Sequence, residues 1–226
     1  MNDLSFLSMV EASAHYDKVL EHSSRAKETM PGFKVLGNPF YVNALEKSPR
    51  SVERVSSHNE FMKKNFGELL DRTVKQLSEV FKKEVFLDPE ISWPGFHLIT
   101  IEGKSNFTGP FHFDNEFNWI QHQFPRYSDV TEHGASFTVL LSPDKDLESG
   151  LFYLPENHPL SASVDKFPLA KIRAMADFHQ YETGRLNFHR QLLHAISGKN
   201  HSDKKLVRVT FQGHLVETGG KLLLYW

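Results

Sequence analysis

The sequence predicts a mainly β protein, a double-sheet barrel with α-helices gathered at its N-terminal end. Helical periodicity before residue 90, short β-rich runs after Pro89 and turn dipeptides between those runs indicate this fold class. A length of 226 residues fits one domain with a sizeable core. We therefore expect a single domain, 1–226, in which a mainly helical part, 1–90, packs on a barrel core, 91–226.

Two helices are expected in the N-terminal part. Asn2 or Asp3 can cap the first, whose apolar stripe begins at Leu4, and Pro31-Gly32 would end it. The second covers about 59–83, where apolar residues recur at helical spacing between lysines and glutamates. One face of this second helix should pack against a sheet.

The remainder of the chain alternates between predicted strands and turns. Residues typical of strands fill seven runs: 96–101, 111–114, 137–141, 151–154, 180–188, 206–211 and 221–226. Dipeptides such as Gly103-Lys104 and Gly219-Gly220 separate them. Two longer connections, 119–133 and 156–178, are candidate lids.

Composition narrows the function classes. A net charge of −2 gives no broad attraction to phosphate, so we expect neither a nucleic-acid nor a membrane partner. No run approaches the roughly 20 apolar residues that a bilayer requires, and no sorting signal is visible, which makes the cytoplasm the expected compartment. Since cysteine is absent, histidines and carboxylates must hold any transition metal. A small molecule is the expected partner, and the oligomeric state stays open.

Three separate segments carry candidate chemistry. On a strand, His112 and Asp114 would share one face, although a His-x-Asp pair arises roughly once by chance in such a chain. His194 lies among apolar neighbours, where a core histidine is the commoner outcome. Fourteen residues later (208 − 194), Arg208 and Thr210 share a strand face. An inward arginine needs an anion, and a carboxylate bound through two hydrogen bonds is its natural partner.

In order and spacing these segments resemble the iron(II)/2-oxoglutarate-dependent dioxygenase superfamily, in its prolyl-hydroxylase-like and phytanoyl-hydroxylase-like branches. The resemblance covers about 91–226 and includes Gly184 before the run that leads to His194. It implies a double-stranded β-helix, a jelly-roll, cupin-like barrel. It also implies Fe(II) held by His112, Asp114 and His194, with 2-oxoglutarate and O₂ as cosubstrates. Arg208 and Thr210 would bind the far carboxylate of 2-oxoglutarate, and the products would include succinate and CO₂.

The resemblance also bears on the reaction and the substrate. Halogenating relatives carry a small residue in place of Asp114, so hydroxylation, desaturation or oxidative demethylation is expected. Nucleic-acid repair relatives have a second arginine at the position of His214 (208 + 6). We expect hydroxylation of a small polar metabolite such as a free amino acid. A peptide or protein side-chain hydroxylase is the alternative within this class, and a cupin-like metal- or sugar-binding module without oxygenase activity is the alternative from another class.

Residues that could contact the substrate are less clearly marked. Those that directly follow the metal motif could face it, and two others lie in the run 96–101 and in the first candidate lid. Solvated loops or ordinary core packing explain these residues equally well. His189, close to His194 in sequence, is expected to be structural. The candidate substrate-binding residues are Asn115, Glu116, Asn118, Trp119, His97 and Arg126.

Overall fold

The structure is a computed structural model that describes residues 1–40, 52–115, 117–130, 133–154, 158, 169–190 and 192–226. Its helices in these ranges are α1 (Met9–Glu21), α2 (Val52–Phe81), α3 (Phe117–Gln123) and α4 (Leu169–Met175). Its strands are β1 (Asn2–Ser5), β2 (Lys27–Met30), β3 (Phe33–Leu36), β4 (Val85–Phe86), β5 (Gly95–Ile101), β6 (Asn106–Thr108), β7 (His133–Leu140), β8 (Leu147–Leu154), β9 (Asp177–Gln180), β10 (Arg185–His189), β11 (Leu193–Asn200), β12 (Leu206–Thr218) and β13 (Lys221–Tyr225).

The strands form two sheets. The larger sheet has the order β1-β10-β7-β12-β5-β3-β2, with β13 beside β12 and β4 beside β13. The smaller sheet has the order β6-β11-β8-β9. From β5 to β12 the chain changes sheet at every connection except the one from β8 to β9. This alternation is the winding of a double-stranded β-helix, so the predicted jelly-roll fold class is confirmed.

The helices α1 and α2 pack on the outer face of the larger sheet. Buried apolar residues of α2, among them Phe66 and Leu69, share one core with Phe96 of β5 and Phe211 of β12. The helix α2 is interrupted at Phe66, whose backbone is non-helical (φ −132°, ψ 21°). None of the helices in the described ranges combines the length and apolar character needed to cross a bilayer.

One face of strand β12 points into the interior of the barrel. Its side chains alternate, so Val209 and Phe211 join the outer core while Arg208, Thr210 and Gln212 point between the sheets. His214 continues this inward row beyond residue 211, where the expected strand stopped. The interior of the barrel therefore contains a line of polar side chains.

The N-terminal segment differs from expectation. The prediction of a helix that starts at Asn2 or Asp3 is wrong, because Asn2–Ser5 pairs with β10 as an edge strand. The helix begins at Met9 instead, where Ser8 and Glu11 form a capping box. It ends before the hairpin β2–β3, which extends the larger sheet next to β5.

Three later boundaries also differ. The run 111–114 is not a strand but an extended loop joined to β11 by a single bridge between His112 and His194. The run 180–188 is divided into β9 and β10, which belong to different sheets. The first candidate lid contains most of α3 and a short 3-10 turn, Pro125–Tyr127. Much of the second candidate lid, 156–178, lies outside the described residues.

Candidate metal centre and cosubstrate site

Two histidines and one aspartate meet at one end of the barrel. His112 and His194 are held side by side by paired backbone hydrogen bonds, 2.9 Å from His112 N to His194 O and 3.0 Å in the reverse direction. The Nε2 atom of each ring lies 3.6 Å from Oδ1 of Asp114. Among the residues that the structure describes, this is the group of histidines and carboxylates placed to hold a metal, with ligand atoms within 4.8 Å of one another.

Backbone carbonyls fix the orientation of both rings. Nδ1 of His112 lies 2.9 Å from the carbonyl oxygen of Pro110, and Nδ1 of His194 lies 2.9 Å from that of Leu192. Since a carbonyl oxygen can only accept a hydrogen bond, each Nδ1 carries the hydrogen. In this tautomer Nε2 of each ring, which faces Asp114, is the nitrogen that can bind a metal.

Asp114 is buried and has partners on its outer oxygen. Ser136 Oγ donates a hydrogen bond to Oδ2 of Asp114 and also lies 2.9 Å from Nδ1 of His214. Burial by itself raises the pKa of Asp114, but His194, His214 and His112 outweigh that effect and hold the pKa well below its usual range. Asp114 is thus a carboxylate whose second oxygen, Oδ1, faces the two histidines.

The electrostatics of His194 suit the same role. Burial lowers the pKa of His194 to about 3, so the ring is neutral near pH 7 and its Nε2 lone pair can bind a metal. Two imidazoles and one carboxylate, with ligand atoms within 4.8 Å of one another, form the donor set typical of non-haem Fe(II) oxygenases. The residues present therefore fit the metal that the sequence motifs imply.

Deeper in the barrel lies a buried cation, the guanidinium of Arg208. Arg208 is 0% exposed, and its Nε donates a 2.6 Å hydrogen bond to Ser149 Oγ. In the described part of the chain, Nη1 and Nη2 of Arg208 have no hydrogen-bond partner. Burial lowers the pKa of Arg208 to about 10, so the guanidinium is still protonated at neutral pH. A buried cation with unused donors fits an anionic ligand, and a carboxylate can take both Nη groups.

The distance between the two groups suits a cosubstrate that joins them. Ser149, the partner of Arg208, pairs with Gly198, four residues along β11 from His194 (198 − 194). Four residues of strand span about 13 Å, which a short dicarboxylate and the arginine side chain can bridge. Thr210 is also fully buried, and its Oγ1 lies 3.5 Å from Gln212 Oε1. Gln212 in turn contacts Nε2 of His97 at 3.2 Å.

A cavity of about 540 Å³ opens over the candidate metal ligands. Both sheets, the loop before His112 and the hairpin β2–β3 contribute to its walls. Its lining residues are Thr29, Met30, Phe33, His97, Gly109, Pro110, His112, Phe113, Asp114, Ser136, Phe137, Thr138, Leu151, His189, His194, Ile196, Gln212 and His214.

Of the candidate substrate residues, the structure brings His97 into this lining. Asn115 and Asn118 are exposed and hydrogen-bonded to each other at the start of α3, and Trp119 is 40% exposed on the same helix. None of these three belongs to the lining among the described residues. Glu116 lies outside the described residues.

Arg126 forms ion pairs outside the cavity. Its Nη2 lies 2.8 Å from Oδ2 of Asp88 and 2.5 Å from Oε2 of Glu90, and the Tyr127 hydroxyl donates to the same Asp88 oxygen. This ion pair fastens the segment after α3 to the segment before β5. Within the part of the chain that is described, Arg126 does not line the cavity.

Several residues of the site were not singled out from the sequence. Continuing the period-two pattern of Arg208 and Thr210 along β12 by two more steps would have included Gln212 and His214. Ser136 and Ser149 carry no local signal, because their contacts arise only when strands distant in sequence come together. His189, expected to be structural, is buried with its ring centroid 4.7 Å from that of His194 and lines the cavity.

Comparisons with known proteins give remote structural likenesses. No family model and no curated protein matches the sequence. The chain is similar to a prolyl-4-hydroxylase from Pseudomonas putida, with 10% identity, 96% of this chain and 92% of that chain covered, and a TM-score of 0.42. The chain is also similar to the non-haem α-ketoglutarate-dependent carbocyclase SnoK from nogalamycin biosynthesis. The identity is 13%, 97% of this chain and 89% of that chain are covered, and the TM-score is 0.43.

HygX from Streptomyces hygroscopicus, solved with nickel and 2-oxoglutarate bound, is a third similar structure. It has 10% identity, 93% of this chain and 80% of that chain covered, and a TM-score of 0.44. Because the likeness is this remote, the function is inferred from the residues of the site.

Proposed function

We propose that this protein is a non-haem Fe(II)- and 2-oxoglutarate-dependent oxygenase in which His112, Asp114 and His194 bind the metal. One observation carries the proposal. A cluster of metal-ligand type, which lines the cavity, lies in the same barrel as a buried guanidinium whose Nη groups have no hydrogen-bond partner among the described residues. A metal- or sugar-binding module has no need for that buried cation, whereas a dicarboxylate cosubstrate does.

When bound, Fe(II) and 2-oxoglutarate would allow O₂ to be reduced while 2-oxoglutarate becomes succinate and CO₂ and one oxygen atom enters the substrate. The protein supplies binding, orientation and a dry environment for this chemistry. His112, Asp114 and His194 would hold the metal, and the cavity that these residues line would admit the other ligands. The carbonyls of Pro110 and Leu192 keep the rings in the binding tautomer.

Arg208 orients the cosubstrate. Ser149 engages Nε of Arg208, and this contact aligns the guanidinium so that both Nη groups remain for the far carboxylate. Thr210, the next inward residue of β12, would donate one more hydrogen bond to that carboxylate in place of its 3.5 Å contact with Gln212. Charge, donor number and burial together favour a dianionic cosubstrate over a neutral ligand.

A small molecule is the substrate that the cavity suits, because 540 Å³ falls within the roughly 300–1,000 Å³ of sites that enclose such ligands. The sequence favours a polar metabolite such as a free amino acid, with a peptide or protein side chain as the alternative. The chemistry of the cavity walls decides between these classes. We also retain a single domain and a cytoplasmic location as expectations.

Succinate release tests the proposal directly. Purified protein with Fe(II), ascorbate, O₂ and 2-oxoglutarate should form succinate, and His194→Ala protein should not. If iron-loaded wild-type protein neither binds 2-oxoglutarate nor turns it over, the protein is a binding module and the oxygenase assignment fails.

A further inference from the structure

The hairpin β2–β3 forms one wall of the cavity. It lies outside the eight jelly-roll strands, β5 to β12. It extends the larger sheet by pairing with β5 through Phe33–Ile99 and Val35–His97. Thr29, Met30 and Phe33 of this hairpin line the same cavity as the candidate metal ligands. The hairpin is therefore an addition to the barrel that faces the reaction site.

The turn of the hairpin is held firmly against the barrel. Gly32 has a positive φ of 74°, and its carbonyl oxygen accepts a 2.7 Å hydrogen bond from Thr100 N. A Cβ atom at Gly32 would lie 3.2 Å from Thr100 O, so the backbones approach closely there. Thr29 Oγ1 also donates to Phe33 O at 3.4 Å. These contacts keep Met30 and Phe33 in fixed positions at the cavity.

The wall offered to a ligand is aromatic and apolar. The ring of Phe33 meets that of His97 edge-on at 4.7 Å and stacks near Phe107 at 6.2 Å, which leaves it buried and well supported. Met30 is 40% exposed and lies at the opening. Phe113, next to His112 in the loop that follows Pro110, faces the same space.

The side of the cavity formed by the smaller sheet is also apolar. Leu151 of β8 and Ile196 of β11 point inward from the smaller sheet and line the cavity. The charged side chain of the described lining is Asp114, whose oxygens already face His112, His194 and Ser136. Polar side chains such as His97 and Gln212 also line the cavity, but they offer hydrogen bonds and no opposite charges, so burying both charges of a zwitterionic ligand here is costly.

We propose that the substrate is an uncharged small molecule with a ring or branched apolar group, which packs against Met30, Phe33 and Phe113. The hairpin Lys27–Leu36 then determines substrate specificity. This inference rests on the proposed oxygenase function and replaces the polar metabolite that the sequence favours. Met and Phe side chains suit such a ligand because they supply adaptable and rigid apolar contact area respectively.

Fluorescence titration tests whether Met30 and its neighbours bind an uncharged, apolar molecule. The probe is N-phenyl-1-naphthylamine, an uncharged dye that fluoresces in apolar sites, added to wild-type protein loaded with Mn(II) and 2-oxoglutarate. We expect saturable binding, weakened roughly three- to tenfold in Met30→Lys because the apolar contact of one methionine is lost. Met9→Lys is the matched control, since Met9 is 55% exposed on α1 and outside the lining, and its affinity for the dye should equal that of wild type.

Competition defines the ligand class. The uncharged 4-ethylphenol should displace the dye, whereas phenylalanine, with a similar ring but two charges, should not at the same concentration. Absence of saturable binding, equal affinity in Met30→Lys and wild type, or displacement by phenylalanine would overturn the proposed substrate class.

Succinate release, measured on the same purified protein loaded with Fe(II) instead of Mn(II) and supplied with ascorbate and O₂, distinguishes a wrong substrate class from a wrong oxygenase assignment. Succinate formation without dye binding overturns the proposed apolar substrate class and leaves the oxygenase assignment intact. Dye binding with the expected competition, but without succinate formation or 2-oxoglutarate binding, overturns the oxygenase assignment instead.

Discussion

Replacing Arg208 by Met removes the buried positive charge while keeping a side chain of similar length. In the proposed complex, Nη1 and Nη2 each donate to the far carboxylate of 2-oxoglutarate in a fully buried environment. Losing one partner of such a desolvated charge pair typically costs about 2 to 5 kcal/mol. At about 1.4 kcal/mol per factor of ten, the KM for 2-oxoglutarate should rise at least about thirtyfold.

The same substitution should affect the stability of the cosubstrate-free protein in the opposite direction. Burial lowers the pKa of Arg208 from 12.5 to about 10, so at every pH below about 10 the buried, protonated guanidinium destabilises the folded state relative to the unfolded state. A shift of this size corresponds to about 3 kcal/mol of destabilisation at neutral pH, which Arg208→Met relieves. The lost hydrogen bond to Ser149 offsets about 1 kcal/mol of that gain. The melting temperature without cosubstrate should therefore stay equal or rise.

Two measurements check this pair of effects. Succinate release at saturating Fe(II) gives the KM for 2-oxoglutarate, and thermal unfolding with and without 2-oxoglutarate gives the stability. Arg185→Met is the matched control, since Arg185 is already paired with Asp3 at 2.6 Å and its loss should leave the KM unchanged. An unchanged KM in Arg208→Met would refute the proposed contact between Arg208 and the far carboxylate of 2-oxoglutarate. A lower melting temperature without cosubstrate would refute the conclusion that burying the charge of Arg208 destabilises the fold.

Three further outcomes are expected. His194→Ala should abolish iron retention at low metal, measured as iron per protein after desalting, while His201→Ala, at an exposed histidine, should retain the iron of wild type; retention by both would disprove the ligand assignment. Ser136→Ala removes the hydrogen bond to the outer carboxylate oxygen and should weaken metal binding about 10- to 100-fold in a chelator competition, with partial recovery in Ser136→Thr; an unchanged affinity would contradict this role. Asp88→Asn weakens the charged contacts to Arg126 and should lower the free energy of unfolding by about 1 to 3 kcal/mol in urea titration; a change in 2-oxoglutarate KM would instead link that ion pair to the site.

The sequence predicted the barrel where apolar and polar residues alternate strongly. The runs 96–101, 137–141 and 206–211 all lie in strands of the larger sheet, because their outer faces must be apolar to pack against α2. The short edge strands carried no such pattern. Lys27–Met30 is mostly polar and exposed, and its strand conformation comes from pairing with β3, which the sequence cannot show.

The site was predictable to a different extent. The order of His112, Asp114, His194 and Arg208 along the chain was readable, and the structure brings the first three together and buries the fourth. Their supporting partners were not readable. Ser149 contacts a residue 59 positions away, and such a contact depends on the register between two sheets.

The carbonyls that orient the histidine rings belong to the main chain, and no substitution at Pro110 or Leu192 deletes them. Ligand geometry is therefore encoded by backbone path more than by neighbouring side chains. The residues of the hairpin and the loop can then vary in size and polarity while the rings keep their aim. A library that randomises Thr29, Met30 and Phe33 would retune which molecules are accepted without having to rebuild the metal centre.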